Sequence, residues 1–594
     1  MRSLVTILFI CLACFGCSRS ASEKEPLMPA GAMLLSDSGG IDSAWSIENT
    51  LVIHATAEPD NLHPTNGNSA LRNEILQLSQ VFLLSNRYGT LLEPVLLKEL
   101  PTSSSDRRTF SCELKKGLKW PDGSAITCED VVFTCKVNAS GLADNPTALP
   151  YWNNLQAIHT VSSTEFVLTL EKQVINDMAF LSSFPILQRT YYDPKNQLST
   201  YDLLSSRAIA KQAINDTAIT DWFKDFNSSY TGTGIAKLQC PGKYTVSQWS
   251  TGTFIILEKR EKDSEGPQKI VYRFNRDENT VLIGFHDQLY DVSSSMSASA
   301  FRQALKDPAL QSNYRLVLSP TYNYSYICFN TKPEQSGRPI FFKDALTRKA
   351  FASIVPIDDI IKLIYGDFSK LVPRMSSYVS PLKSDCDSTL HPAEYDFAKG
   401  GKLLAKAGWT DKNQNGLLDC REGNGTFTEF EPELLYLNAS PDWQSIAELI
   451  TASAAKVGIR IKAVAVDPVT FSTRAKNHDF DILLGSWGGN ALPEDPTQLW
   501  GTESWNSNGS NYSGFGNSRT DSLIATVVQS PTDNQRRSAS IELQKSIQDE
   551  QPYVFLYNAM RRMIIHKRWT DVLVFPDRPG YLPDTWRLRC QPAK

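Results

Sequence analysis

Several signals are absent from this chain. No block of five like charges occurs, and 60 basic residues stand against 64 acidic ones, a net charge of −4. A nucleic-acid binder normally carries a basic excess or stripe, so no nucleic-acid partner is expected. HExxH, GxSxG and GxGxxG are missing, and Gly242-Lys243 is followed by Tyr244 rather than Ser or Thr, so it is no phosphate loop. The seven histidines are scattered without ligand spacing. No catalytic residue is therefore expected, and no cofactor is required. Three of the 11 cysteines lie within the first 17 residues, and the other eight contain no CxxC, which excludes a zinc ribbon or thioredoxin motif. Disulfides or buried free thiols both remain open for those eight. The long apolar run, Leu4–Ala13, is too short to cross about 30 Å of hydrocarbon.

That run fits the h-region of a secretory signal. Gly16-Cys17 follows it and resembles a bacterial lipobox, so residues 1–16 read as a lipoprotein signal peptide with Cys17 lipidated. Cys14 is the second candidate, and a plain cleaved signal is the alternative. Residues 17–47 are rich in Ser, Gly, Ala and Pro and read as a flexible tether. The expected product is anchored by lipid to a membrane, in the bacterial periplasm or at the cell surface.

The body is long enough for about three or four domain-sized units. Strand signals occur at Thr50–Ile53, Glu165–Leu170, Tyr324–Phe329, Ile459–Val466, Asp481–Leu484 and Tyr553–Tyr557, with a hairpin over Tyr244–Lys259. Helical periodicity occurs at Asp396–Ala407, Asp442–Val457 and Thr532–Asp549. The fold class read from this mixture is α/β or mixed α+β.

One segment is more specific. Thr109 through Phe133 reads as a strand, a turn at Asp122-Gly123, and a helix capped at Thr127 with Glu129 and Asp130 in its first turn. This stretch resembles the signature of the bacterial extracellular solute-binding proteins of family 5, the peptide- and nickel-binding components of ABC importers. Asn61–Pro64, Gly232–Gly234, Gly242–Tyr244, Arg348, Ala407–Trp409, Asp479–Asp481 with Trp487, and Asn511–Asn517 resemble further family segments in the same order. His63 stands where the family usually has Asp.

The resemblance implies a two-lobed periplasmic-binding-protein clamp with an extra inserted domain. Lobe I would comprise 48–90, 231–318 and 556–594, the inserted domain 91–230, and lobe III 319–555. It also implies an oligopeptide or related small solute held between the lobes by a monomer, with delivery to an ABC permease and ATPase complex. A receptor or chaperone without transport, or a binder of a metal chelate, is the alternative. The expected ligand-binding residues are Glu58, Trp487, Gly488, Gly489, Asn490 and Asp495. In peptide-binding members an Asp at the position of Asn490 pairs with the ligand's ammonium. Its role here would pass to Glu58, Glu494 or Asp495, or the ligand would lack a free amine.

Separately, residues 411–422 fit D-x-[DN]-x-[DN]-G-x5-E. Asp411, Asn413, Asn415, Asp419 and Glu422 would offer side-chain oxygens and Leu417 its carbonyl to a structural Ca²⁺. An Asx-rich turn without metal is the alternative.

Overall fold

A computed structural model describes residues 31–589 apart from 38–40, 42–44, 68, 90, 146–147, 211–215, 229, 231, 333–337, 340, 422–426, 439–440, 508 and 531. The signal region with Cys14 and Cys17, as well as Glu422 and Cys590, lies outside the described residues.

Ten strands form one mixed sheet. From one edge to the other they are Lys462–Val466, Glu433–Leu437, Ile482–Trp487, Tyr314–Phe329, Tyr553–His566, Val292–Ser293, Thr50–Ala55, Lys269–Phe274, Phe254–Lys259 and Tyr244–Ser250. The first two pair in parallel, as do Thr50–Ala55 and Lys269–Phe274. The last two form the hairpin expected from their alternation.

Tyr314–Phe329 and Tyr553–His566 pair antiparallel along most of their length and carry the sheet from one lobe into the other. The expected lobe limits at 318/319 and 555/556 fall inside these strands. The ladder breaks between Pro320 and Tyr324, because proline cannot donate and the chain bulges there. Asn558 Nδ2 holds the bulge, donating to the carbonyls of Thr321 (2.9 Å) and Asn323 (2.7 Å).

Separate apolar cores flank the crossing. One gathers Leu51, Ile53, Ile255, Leu257, Ile565, Trp569 and Trp586; another gathers Phe329, Phe351, Ile360, Trp409, Phe430 and Ile482. Residues 83–203 enclose their own core around the antiparallel sheet Thr102–Ser103, Thr109–Glu113, Glu165–Leu170 and Leu155–Thr160. Within it, buried Asp130 ties the signature together. It accepts from Thr127 N (2.9 Å), Trp120 Nε1 (3.2 Å) and Arg189 N (2.9 Å). Arg348 is likewise structural: it is buried and donates to the carbonyls of Phe342 (2.9 Å), Lys343 (2.7 Å) and Glu550 (2.6 Å).

The expected tether at 17–47 is shorter at its C-terminal end. Met33–Leu34 pairs antiparallel with Leu573–Val574, Leu35 is buried, and Arg315 donates to Ser36 O (2.9 Å) and Asp37 Oδ1 (3.0 Å). One apolar side chain in the lobe core and an added strand outweigh the low propensity of this Ser- and Gly-rich stretch. The seven described cysteines are free thiols. Burial pushes Cys112 up to about 12 and Cys128 and Cys240 up to about 11, which keeps them protonated and inert.

Candidate functional site at the lobe junction

Ile482–Trp487 lies beside the crossing strand Tyr314–Phe329, and its continuation reaches Asp577 through Ala491. Trp487 is half-buried. Its indole stacks between Tyr326 (5.8 Å between centroids) and Tyr512 (5.7 Å), so it forms part of the lobe III wall. Gly488 is exposed, with only Asn323 Oδ1 near the place a Cβ would occupy (3.8 Å). Gly489 differs: a Cβ there would lie 2.7 Å from the carbonyl oxygen of Tyr322. Its requirement for glycine thus comes from the chain's own bulge, and its amide donates to Asn323 Oδ1 (3.0 Å).

Asn490 and the acids named from sequence are each engaged by groups of the protein itself. Asn490 is exposed and its Oδ1 accepts from Leu492 N (2.9 Å), an Asx turn. Asp495 is exposed and accepts from Thr497 N (2.9 Å). Glu494 pairs with Lys383, whose ammonium also donates to Leu492 O (2.6 Å) and lies 5.5 Å from the Tyr322 ring centre. Glu58 Oε2 accepts from Trp249 Nε1 (3.0 Å) and Gly252 N (2.9 Å), both in lobe I.

An acid absent from the sequence expectation meets the segment instead. Ala491 N donates to Oδ1 of Asp577, on lobe I, at 2.8 Å. Asp577 Oδ2 is buried without a hydrogen-bond partner. Burial raises the Asp577 carboxyl above the usual carboxylate range, opposed by the Ala491 amide, Lys383 and Arg561. Burial also pushes the nearby Glu74 up to about 7 against Arg578 and Arg561, and lowers Arg561 to about 10. Lys383 is lowered by burial and held up by Glu494. The junction therefore pairs a lobe III backbone segment and Lys383 with a lobe I floor of Glu74, Arg561, Asp577 and Arg578. Such a site offers hydrogen-bonding groups and charges of both signs. Asp577 follows no motif, so only the chain's return to lobe I beside residue 491 reveals it.

A groove of about 760 Å³ lies elsewhere, and all its lining residues fall within 129–205. None of the segments that meet at Ala491 and Asp577 lines it. Of the residues expected to bind metal, Asp411, Asn413, Asn415, Leu417 and Asp419 share one loop on lobe III, remote in sequence from the junction segment.

The description "bacterial extracellular solute-binding proteins, family 5 Middle" matches residues 92–510. The chain belongs to this family. Among relatives, the oligopeptide-binding protein AppA of Bacillus subtilis is 24% identical over 490 residues, 81% of this chain and 80% of that one. Di/tripeptide-binding protein 1 of Pseudomonas aeruginosa is 21% identical over 586 residues, 92% and 96% of the two chains. The structure of AppA from Bacillus subtilis in complex with a nonapeptide aligns with a TM-score of 0.70 at 21% identity, covering 91% of this chain and 99% of that chain. NikA from Brucella suis in complex with Fe(III)-EDTA gives 0.69 at 17% identity, covering 87% and 95%. The fold of this family 5 chain is thus the two-lobed clamp, and the family is one of solute-binding proteins.

Proposed function

We propose that this family 5 protein captures peptides of a few residues between its lobes and delivers them to an ABC permease and ATPase complex. The observation that carries this reading is the contact of Ala491 N with Asp577 Oδ1, which leaves Asp577 Oδ2 buried and unpartnered. A buried carboxylate oxygen without a partner costs free energy unless a ligand donates to it. A peptide's α-ammonium is such a donor. In this reading Asp577 supplies from lobe I the charge that Asn490 lacks on lobe III. Exposed backbone near Gly488 offers strand-like hydrogen bonds to the peptide chain. Relatives named for oligopeptides and di- or tripeptides support the same solute class.

Calorimetric titration with a short peptide and its N-acetylated twin tests the reading. The free-amine peptide is expected to bind at least about tenfold more tightly, because a charge-assisted hydrogen bond is about twice as strong as a neutral one. Equal affinity for both, or none for either, would refute it.

The same reading places a monomer at the outer face of a membrane, anchored through lipid on Cys17. Two or more acyl chains suffice for stable attachment. Cys17→Ser is expected to release the protein from the membrane fraction of the producing cell; retention would exclude Cys17 as the anchor.

A further inference from the structure

We infer that the loop from Asp411 to Asp419 is a calcium site closed at its ninth residue. The loop begins where the helix Phe397–Lys406 has ended and Trp409 has entered the lobe III core. Its ends are pinned by Thr410 and Asp419, whose backbones exchange N–H···O bonds of 3.0 Å in both directions. Between them the chain is wrapped by its own side chains. Asp411 Oδ1 accepts from Asn415 N (3.1 Å) and Oδ2 from Gly416 N (3.0 Å). Asn413 Oδ1 also accepts from Asn415 N (3.1 Å), and Asn415 Oδ1 from Leu417 N (2.9 Å).

Those bonds alone would make an Asx-rich turn. The deciding group is Asp419. It is 2% exposed, and its Oδ2 accepts from Lys412 N (3.0 Å), so the carboxylate is turned into the loop. Its Oδ1 is buried with no hydrogen-bond partner. Among the described residues no cationic side chain pairs with this carboxylate, and a buried charge left in that state is costly. A cation bound among the loop oxygens satisfies it.

The donor set selects the ion. Two carboxylates, two amide oxygens and the Leu417 carbonyl are all hard oxygen ligands, which suit Ca²⁺ and not a thiolate- or imidazole-seeking metal. Asn415 Nδ2 donates to Glu429 Oε1 (2.6 Å), which fixes the amide and leaves its oxygen for the loop. Gln414 and Gly416 both adopt left-handed backbone (φ 60° and 86°), the compact winding that lets successive side chains share one centre. Because Asp419 already closes the ring, a ligand at position 422 is not required. Two charges where tighter sites carry three or four imply a dissociation constant of about 10⁻⁴–10⁻³ M, the range of extracellular modules. The loop packs on the lobe core through Leu418 N to Gly458 O (2.8 Å), so ion binding is coupled to lobe III stability.

The test uses the full chain stripped with EDTA and titrated with CaCl₂, read by calorimetry and by thermal midpoint. One ion per chain and a rise of at least about 2 °C are expected. Asp419→Asn is expected to weaken binding at least tenfold. Asn413→Asp, at an exposed position that leaves the fold untouched, is expected to tighten it severalfold. Absence of binding at calcium well above about 10⁻³ M, or binding that both variants leave unchanged, would overturn the inference.

Discussion

Ala491 on lobe III and Asp577 on lobe I are joined by an amide–carboxylate hydrogen bond of 2.8 Å, while the second Asp577 oxygen stays buried and unpaired. Asparagine at 577 keeps an acceptor for the Ala491 amide and removes the charge. Asp577→Asn is therefore expected to lower affinity for free-amine peptides by about tenfold to a hundredfold and to leave N-acetylated peptides little changed. Calorimetry with the peptide pair separates the two effects. A uniform loss for both peptides would point to a general closing role in place of an amine contact.

Position 490 gives the complementary expectation. Asn490 is exposed, and its oxygen is committed to Leu492 N, a bond that aspartate also accepts. A charge added in solvent contributes little. Asn490→Asp is expected to change peptide affinity by less than about threefold; a large tightening would move the amine contact to residue 490.

A buried ion pair in lobe I is costly to break. Arg568 donates to both oxygens of Asp291 (2.6 and 2.7 Å), and its remaining donors reach the carbonyls of Ser46 (2.7 Å) and Thr50 (2.7 Å). Asp291 Oδ2 also accepts from Val52 N (2.8 Å). Asp291→Ala leaves the guanidinium buried without its counter-charge. A loss of about 3–5 kcal/mol is expected in chemical denaturation, and a loss below 1 kcal/mol would show that solvent reaches the pair.

Buried histidines weaken the fold in acid, His63 and His566 with the largest shifts. His63 Nε2 donates to Phe226 O (2.7 Å) while Nδ1 accepts from Thr65 N (3.1 Å) and Asn66 N (3.0 Å), which fixes the neutral ring. Burial lowers His63 from 6.5 to about 3, and His566 from 6.5 to about 4. The unfolded chain therefore takes up these protons first as pH falls. Their contribution is fully present above pH 6.5 and is lost progressively towards pH 4 and below. Denaturation midpoints are expected to fall across that window, and His63→Asn is expected to flatten the slope. A midpoint constant from pH 6.5 to 4 would contradict the assignment.

Local chemistry was legible in the sequence. The Asp122-Gly123 turn, the cap at Thr127 and the hairpin Tyr244–Lys259 follow from neighbouring residues, and each is present. The crossing strands were legible only in part, as Tyr324–Phe329 and Tyr553–Tyr557. Their other halves carry Arg315, Ser319, Pro320, Arg561 and Arg562, which break the apolar pattern; pairing between the two strands holds them extended. His63 departs from the aspartate usual in the family, yet Nδ1 performs an acceptor's task at the turn. At the junction, Trp487 through Asn490 were found by resemblance, whereas Lys383 and Asp577 lie in segments without a motif. Nothing in their immediate neighbours signals the approach to Ala491 and Leu492.

Peptide capture between the lobes is tested most directly by native mass spectrometry of the full chain purified without denaturation, followed by acid release and sequencing of what is bound. The expected result is a set of adducts that resolve into peptides of a few residues with mixed sequences. A single haem, sugar or metal chelate in their place, or failure to retain any peptide after incubation with a protein digest, would contradict it.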